Sequence, residues 1–449
     1  MLLSDILSHL LQAEKGNSKM KITKIEVDGF RNIQSSTINF KNVTALLSLN
    51  GYGKSNLMDA IAFSLDFIKR RPKSKSSLMS ARNCIPKNKV SRNDSFSFSV
   101  NFDVMRLDKP YNVEYSFSFL WGIGDENGKI NYECLKMRSD EKGQKYKTYI
   151  DRYNETSHYT SSETGRCSSV IKIAPYELII NKLIAFDDLF FHDIIVLINE
   201  LEVDTIRVMD ASRKYKPSII EWKDSDNADF RLDTGIPRIL SALQSNYENK
   251  YELLVNAFQT LFPNYISIIV QETPIEIEHF TIQMEDTEDN PFKLAKSVFT
   301  MSVLDKNLIT PIEFKDLSDG AQRVFLMLTY AILADIKGVP LLLIEEPENC
   351  VHPKLLQDYI SILSQLAGDC KILISSHSPY LIQYLDPNGI YVGIPNSNGW
   401  AAFKPLKASK LKALYRDAAE DDESIGTYLF NLLSQSEDGS MLLESYLEG

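Results

Sequence analysis

Three short, mostly apolar runs occur along the chain, one near its start and two near its end. They are residues 43–47 (VTALL), 340–344 (PLLLI) and 371–374 (KILI). Short apolar runs are typical of strands that are buried on both faces of a parallel sheet. Residues 21–27 (KITKIEV) alternate apolar and polar positions, which predicts a strand.

Apolar residues at helical spacing follow these strands. Helices are predicted over residues 56–65, 320–336 and 355–366. Strands that alternate with helices at both ends of the chain predict an α/β core built around a mixed β-sheet.

The segment between the two ends interrupts this alternation. Residues 95–104 and 111–120 alternate as strands do, residues 237–261 have helical character, and residues 275–284 and 297–304 are again strand-like. We therefore expect a β-rich lobe and an inserted helical lobe. Sustained heptads are absent from this sequence, so no long coiled coil is expected.

The chain of 449 residues is long enough for about two or three domains. We predict an N-terminal amphipathic helix over residues 1–19 and a main domain over residues 20–430. The main domain is discontinuous (20–68 and 300–430), with residues 69–299 as the inserted lobe. Residues 431–449 are predicted to be an acidic C-terminal segment.

The N-terminal stretch carries Leu3, Ile6, Leu7 and Leu10 at helical spacing. Such a helix can dock on its own domain or mediate oligomerisation, and the sequence leaves both open. It lacks a basic leader and is too short to span a membrane. Five scattered cysteines without zinc-ligand spacing favour a reduced, cytoplasmic protein.

A phosphate-binding loop is predicted between the strand at 43–47 and the next helix. Residues 48–55 read SLNGYGKS, so a serine replaces the first glycine of the usual GxxxxGK[ST] pattern. Glycines let the backbone wrap phosphates closely, with its N–H groups directed at them. The predicted nucleotide-binding residues are Asn50, Gly51, Gly53, Lys54, Ser55 and Asn56. Lys54 would neutralise the β- and γ-phosphates, and Ser55 would bind Mg²⁺.

Two acids follow the strand at 340–344. Glu345 and Glu346 lie at its carboxyl end, which is the usual ligand edge of an α/β sheet. Glu345 would bind Mg²⁺, although the usual residue here is the shorter aspartate. Glu346 would orient and deprotonate the attacking water. The alternative is a pair of acids that merely ends a strand.

Two further motifs complete the set. Residues 317–323 read LSDGAQR at the start of a predicted helix, where Ser318 is equally suited to a plain N-cap. Residues 375–379 read SSHSP after the strand at 371–374, and His377 is the second candidate catalytic residue. The P-loop alone is moderately specific, and the signature string and the lone histidine are weak by themselves. Four motifs in a fixed order, each on the expected element, argue against coincidence.

With these motifs the chain resembles the compact ABC/SMC-type ATPases of the OLD (overcoming lysogenization defect) group, which recur in antiphage systems such as Septu and PARIS. The resemblance covers residues 20–430 and is carried by GFRN at 29–32, NGYGKSN, LSDGAQR, IEEPENCVHP and SSHSP. It implies an α/β fold with an ABC-type P-loop ATPase core, and ATP and Mg²⁺ as ligands.

The resemblance also assigns roles. Arg31 corresponds to a residue near the phosphates, and His377 to the switch histidine. Ser318, Asp319 and Gly320 correspond to the ABC signature, which acts on the nucleotide of the opposite subunit, so at least a homodimer is expected. Residues 348–352 occupy the D-loop region. The position of the Q-loop glutamine is not evident.

A basic segment stands apart in a chain of net charge −11. Residues 67–93 contain nine lysines and arginines and no acid, among them Lys69, Arg70, Arg71, Lys73 and Lys75. Three interpretations remain open: phosphate contacts with a nucleic acid, binding of an acidic partner such as a DNA-mimicking phage protein, or a solvated loop.

Three functions compete at this point. The first is an antiphage ATPase that senses infection and holds or activates a separate effector, because OLD nucleases continue into a Toprim domain that the motifs here do not supply. The second is an autonomous DNA-binding ATPase of the repair or DNA-loading type. The third is a nucleotide switch that does not hydrolyse ATP.

Overall fold

The structure is a computed structural model that describes residues 20–88, 94–123, 127–163, 165–207, 211–222, 235–275, 292–349, 351–394, 398–435 and 437–448. The predicted N-terminal helix and nearly all of the predicted strand at 275–284 lie outside these residues. The chain divides into two compact units. The described part of the larger unit lies within Asn17–Thr205, Gly338–Glu346 and Asp369–Gly449. The described part of the smaller unit contains Ile206–Lys337 and Pro347–Gly368.

The strands are numbered in chain order. They are β1 (Met20–Asp28), β2 (Ser36–Asn39), β3 (Val43–Leu47), β4 (Ser95–Arg106), β5 (Lys109–Leu120), β6 (Lys129–Ser139), β7 (Lys147–Tyr153), β8 (Thr156–Tyr159), β9 (Ser169–Val170), β10 (Val203–Ile206), β11 (Ile220–Trp222), β12 (Tyr265–Pro274), β13 (Phe292–Leu294), β14 (Ser297–Asp305), β15 (Ile312–Glu313), β16 (Leu341–Glu345), β17 (Lys371–Ser376), β18 (Ile390–Gly393) and β19 (Phe403–Pro405).

The helices are numbered in the same way. They are α1 (Lys54–Lys69), α2 (Pro72–Leu78), α3 (Ile179–Leu183), α4 (His192–Glu200), α5 (Ile236–Asn246), α6 (Glu248–Leu261), α7 (Asp319–Lys337), α8 (Pro353–Leu366), α9 (Pro379–Ile382), α10 (Leu411–Glu420), α11 (Ile425–Ser434) and α12 (Glu437–Ser445).

Two sheets form the larger unit. One is antiparallel, with eight strands in the order β2-β1-β4-β5-β6-β7-β8-β9. The other has six strands in the order β10-β16-β17-β3-β18-β19. Within it β16, β17, β3 and β18 run parallel, and β19 is antiparallel to β18. Its central strands are buried, as their short apolar runs predict.

An aromatic layer joins α1 to the antiparallel sheet. The ring of Phe67 on α1 stacks on Phe119 with centroids 5.0 Å apart, and Phe63 meets Phe96 at 5.4 Å. Trp121 packs on Phe63 and donates from its indole nitrogen to the carbonyl of Gly29. This apolar packing fixes α1, and with it the loop that precedes α1.

The smaller unit combines helices with short antiparallel strands. β12, β14 and β15 form one sheet, and β11 pairs with β13. Phe258 on α6 and Phe325 on α7 pack edge to face, with centroids 4.9 Å apart. Phe314, just before α7, completes this cluster.

Within the described residues, the sequence predictions of regular elements hold, with shifted ends. The predicted helix at 56–65 begins earlier, at Lys54, because α1 follows directly on Gly53. The helical stretch at 237–261 is two helices, α5 and α6, which meet at Tyr247 (φ −142°, ψ 57°). Neither proline nor glycine marks this break, so periodicity could not reveal it.

The structure confirms the predicted fold class, an α/β protein with a mixed sheet that carries the P-loop and a separate β-rich sheet. Among the described helices the longest is α7, with 19 residues, so no long coiled coil is found there. None of the described helices has the length and apolar character needed to span a bilayer.

Candidate nucleotide-binding site

Three strand ends bring the predicted catalytic residues to one edge of the six-stranded sheet. Glu345 at the end of β16 lies opposite Ser375 of β17, and Ser375 lies opposite Leu46 of β3. The P-loop leaves β3, the acids leave β16 and His377 leaves β17. Because parallel strands present their carboxyl ends at the same edge, the three motifs meet there.

Glycines shape the P-loop. Gly51 (φ 73°) and Gly53 (φ 137°) adopt backbone angles that side chains rarely tolerate. A methyl group on Gly53 would lie 2.9 Å from Cβ of Ala401 and 3.1 Å from the side-chain oxygen of Asn32. The loop therefore needs glycine at 53 for both its conformation and its close packing, and α1 begins at the next residue.

Lys54 is folded over this loop and is only 6% exposed. Its ammonium group donates to the carbonyl of Ser48 at 2.9 Å and to that of Leu49 at 3.4 Å. It also contacts Nδ1 of His377 at 3.3 Å, although the two residues lie 323 positions apart in sequence. The ammonium group thus already stands among oxygen and nitrogen acceptors at the mouth of the loop.

His377 lies between Lys54 and Glu346. An ammonium group can only donate, so Nδ1 of His377 must be the unprotonated acceptor, which we assign from this geometry. The proton is then on Nε2, which lies 3.5 Å from Oε1 of Glu346. Burial lowers the pKa of His377, and the charge of Lys54 lowers it further, while Glu346 opposes both. The imidazole is accordingly neutral at neutral pH.

Glu346 has a left-handed backbone (φ 48°), which is uncommon for a residue other than glycine. Its backbone N–H donates to the carbonyl of Ser375 at 2.9 Å, so the turn after β16 is fixed to the neighbouring strand. This conformation turns the chain sharply at the strand end. Strained conformations of this kind often occur at functional sites.

The two predicted Mg²⁺ ligands lie at the same sheet edge. Ser55 is exposed in the first turn of α1, and Glu345 is the half-buried last residue of β16. A hydroxyl and a carboxylate supply the oxygen ligands that Mg²⁺ prefers. Mg²⁺ in nucleotide sites usually takes one or two carboxylates and completes its shell with phosphates and water, so this pair fits the ion.

The GFRN turn braces the P-loop. Arg31 donates to Asn56 at 2.8 Å and to Asp59 at 2.5 Å, both on α1. Asn56 donates to Asn32 at 2.7 Å, and Asn32 donates to the carbonyl of Tyr52 at 2.8 Å. In this conformation Arg31 contacts the first two turns of α1. Asn32 was missed by sequence reasoning, although it stands beside Arg31 in the motif.

Tyr52 anchors the loop on its other side. Its ring meets Phe403 edge to face, with centroids 5.7 Å apart, and its hydroxyl accepts from the backbone of Ala402. A methyl group on Gly393 would lie 2.3 Å from the Tyr52 ring. Tyr52 is thus a packing residue of the loop, and nothing in the P-loop pattern signals it.

The signature segment lies in the smaller unit. Ser318 and Asp319 are exposed at the start of α7, and the hydroxyl of Ser318 accepts from the N–H of Ala321 at 3.4 Å. Gln322 is buried and donates to the carbonyls of Leu317 and Lys315 at 2.7 and 2.8 Å. Ser318 is therefore an N-cap in this conformation, and Gln322 holds the turn before the helix.

Comparisons with known proteins place most of the chain in a described family. A family model described as "AAA domain, putative AbiEii toxin, Type IV TA system" matches residues 49–383. The chain belongs to this family. A second model, described as a protein of unknown function (DUF2813), matches residues 20–72, which include the GFRN turn and the P-loop.

A curated relative is similar over most of the chain. "Retron Ec83 probable ATPase" of Escherichia coli is 20% identical over 463 residues, covering 91% of this chain and 77% of that protein. Membership of the family, together with this relative and the ordered motifs, identifies a P-loop ATPase that binds ATP.

Solved structures of SMC heads are also similar to this chain, with TM-scores below 0.5. The SMC head bound to the C-winged helix domain of ScpA has a TM-score of 0.48 at 13% identity, covering 88% of this chain and 99% of that chain. The SMC head domain from Thermotoga maritima has a TM-score of 0.38 at 12% identity, covering 86% and 100%. The fold assignment rests on the strand order and motifs instead.

Within the described residues 67–88, the basic side chains of this ATPase do not all lie on the surface. Lys69 pairs with Glu202 at 3.1 Å, and Arg70 pairs with Asp66 at 2.9 Å. Arg71 and Lys73 are exposed. Lys75 is fully buried and donates to the carbonyls of Ile68 and Arg70 and to the side chain of Asn181. The inclusion of Lys75 in a surface patch is therefore wrong.

Proposed function

We propose that this ATPase is the nucleotide-driven switch of a bacterial antiphage defence system, and that it holds or activates a separate effector such as a nuclease or toxin. The family description names a toxin of a toxin–antitoxin system, and a curated relative is a retron ATPase. The OLD-like motif set supports the same proposal. ATP binding and hydrolysis would change the state of the effector complex.

The observation that carries the hydrolytic part is the line of contacts from Lys54 through His377 to Glu346. When ATP enters, Lys54 would exchange the carbonyls of Ser48 and Leu49 for phosphate oxygens. The neutral His377 would donate from Nε2 to the γ-phosphate or to the attacking water. Glu346 would accept a proton from that water, which would raise its nucleophilicity.

Ser55 and Glu345 would hold Mg²⁺ beside the P-loop. The ion would neutralise charge on the β- and γ-phosphates during phosphoryl transfer. Glu345 is one methylene longer than the usual aspartate and can reach the ion directly or through a water molecule. The positive end of the α1 dipole adds to the attraction for phosphate.

We further propose that two copies close around two nucleotides. Ser318, Asp319 and Gly320 of one copy would face the γ-phosphate held by the P-loop of the other. The exposed position of Ser318 and Asp319 at the start of α7 supports this arrangement. The free N–H groups of a helix start, with the helix dipole, suit an anion.

Two substitutions separate binding from hydrolysis. Lys54→Ala should weaken ATP binding, because the cation at the loop is lost. Glu346→Gln should bind ATP as the wild type does but turn over at least about 100-fold more slowly, as expected when a general base is removed. ATP titration and phosphate release measure the two effects, and Glu420→Gln, an exposed acid on α10, is the matched control.

The oligomeric state is measured in the same samples. Glu346→Gln with ATP should have twice the mass of the nucleotide-free protein in size-exclusion chromatography with light scattering. Normal hydrolysis by both variants would show that the site assignment is wrong. If hydrolysis is lost but the mass does not change with ATP, the site assignment stands and the proposed dimer is contradicted.

The effector part needs a comparison between nucleotide states. Tagged Lys54→Ala and Glu346→Gln chains, expressed in the native host, should retain a stoichiometric partner to different extents, since only the latter accumulates the ATP state. Equal partner content in both samples, or none in either, would contradict the switch.

A further inference from the structure

One glycine stands where a helix of the larger unit touches the segment that carries His377. Gly426 is buried in the first turn of α11, which packs on α9. A methyl group on Gly426 would lie 2.0 Å from the carbonyl oxygen of Pro379 and 2.8 Å from its carbonyl carbon. Both are backbone atoms, so a side-chain rotation cannot relieve the overlap.

Helix preference does not explain a glycine at this position. Alanine is the better residue inside a helix, because glycine loses more backbone entropy on folding. α11 is capped by Ser424, whose hydroxyl accepts from the N–H of Thr427 at 3.2 Å. Its buried face includes Leu429, Leu432 and Leu433. The close approach to Pro379 is thus the physical reason for glycine, and the helix itself is firmly held.

The link between Pro379 and His377 is short and rigid. β17 ends at the buried Ser376, and α9 begins at Pro379, so His377 and Ser378 alone lie between them. The N–H of Ser378 donates to the hydroxyl of Ser376 at 3.0 Å, and the N–H of Leu381 to the carbonyl of Ser378 at 3.2 Å. A shift of Pro379 is therefore passed to His377.

The contacts of His377 tolerate little displacement of its ring. Its two ring nitrogens lie 3.3 Å from Lys54 and 3.5 Å from Glu346, which is already near the outer limit of a hydrogen bond. A movement away from either partner breaks the line of contacts. Misplacement by about 1 Å can cost on the order of 100-fold in rate.

We propose that Gly426 is a positioning residue for ATP hydrolysis: by allowing α11 to touch the Pro379 carbonyl, it sets the place of His377 between Lys54 and Glu346. The proposal rests on the role that we propose for His377. It gives α11 a part in positioning the catalytic site, although this helix carries no recognised ATPase motif.

The test is Gly426→Ala in the full-length chain. We expect kcat to fall at least about tenfold, while the Kd for MgATP stays within about twofold, because the P-loop is untouched. Ser434→Ala is the matched control, since Ser434 is exposed at the end of the same helix and its hydroxyl donates to the carbonyl of Phe430, one turn earlier. It should keep both constants. Wild-type kcat in a folded Gly426→Ala variant would overturn the proposal.

A double variant shows whether the effect passes through His377. In a His377→Ala background, adding Gly426→Ala should cause no further loss of kcat, because the residue to be positioned is gone. A further tenfold loss would mean that Gly426 acts elsewhere, which overturns the proposal. If His377→Ala itself hydrolyses at the wild-type rate, the role proposed for the histidine fails instead, so the two failures are distinguishable.

A second variant covers the case in which Gly426→Ala does not fold. Ser424→Ala removes the N-cap of α11 and loosens the helix without adding an atom. It should lower kcat in the same direction by a smaller factor, again only when His377 is present. An unchanged kcat for Ser424→Ala, with the first turn of α11 shown to exchange its amide hydrogens faster, would overturn the proposal.

Discussion

His377 acquires its chemistry from its neighbours. A lone histidine after a buried strand is usually a structural residue. The residues around it in the sequence do not by themselves show a catalytic role. In the fold it stands against an ammonium group on one side and a carboxylate on the other. These contacts determine which nitrogen carries the proton, while burial and the charge of Lys54 lower the pKa of the ring against the opposing effect of Glu346.

The pH dependence of hydrolysis follows from this environment. Since the pKa of His377 is lowered below its ordinary 6.5 by burial and by Lys54, kcat/KM should be constant around neutral pH and fall only in acid, with a midpoint below 6.5. Protonated His377 cannot accept from Lys54, and its charge repels the ammonium group.

The control for this prediction is His377→Gln. Its residual kcat/KM should lack the acidic limb that His377 causes, when both proteins are measured over the same pH range in buffers of constant ionic strength. An acidic limb with the same midpoint in both proteins would assign the titration to another group.

At the scale of elements, the junction of α1, α2 and α3 is where the structure departs most from what the sequence predicts. Lys75 lies in a run of basic residues, yet its ammonium group is inside, where it caps carbonyls at the end of α1 and binds Asn181 on α3. It also lies over the ring of Phe67. Local sequence could not indicate this, because the burial depends on α3, which lies about a hundred residues later in the chain.

Lys75 makes stability depend on pH. Burial lowers its pKa from 10.5 to about 8, so between these values the unfolded chain binds a proton that the folded chain lacks. The free energy of unfolding should therefore rise with pH from about 8 to 10.5 through this group. Denaturant unfolding of the wild type and of Lys75→Met at pH 8 and pH 10 measures this effect. The difference between their free energies of unfolding should change between the two pH values.

Lys73→Met is the matched control, because Lys73 is exposed on the same helix. Its difference from the wild type should be the same at both pH values. Parallel stability curves for wild type and Lys75→Met would contradict the assignment of a lowered pKa to Lys75.

At the scale of the whole molecule, the ATPase motifs are distributed over two units. The P-loop, Glu346 and His377 belong to the larger unit, and the signature at Ser318 belongs to the smaller. In the proposed dimer each nucleotide needs the larger unit of one copy and the smaller unit of the other. A single chain would then supply one half of each of the two nucleotide sites.

Subunit mixing tests this arrangement. Lys54→Ala and Ser318→Arg should each be inactive alone, because every site in either homodimer lacks a part. In an equal mixture, half of the dimers pair the two variants and hold one intact site, so about a quarter of the wild-type rate should return if the sites act independently in a symmetric dimer. Activity that remains at the level of the separate variants would contradict composite sites.

The elements and motifs of this protein were predictable from its sequence because both are encoded locally. Apolar runs mark buried strands, helical spacing marks helices, and the glycines, acids and histidine follow strand ends at fixed positions. The prediction of a P-loop ATPase core follows from that order. The family model that matches residues 49–383 describes an AAA domain.

Only the tertiary structure decided how these residues meet. The contact of Lys54 with His377, the burial of Lys75 and the packing of Gly426 on Pro379 each join segments that are far apart in sequence or carry no motif. Periodicity reports which face of an element is buried, whereas the partner depends on strand order and helix packing. For that reason the sequence determined what chemistry this protein carries, and the fold determined which residues hold it in place.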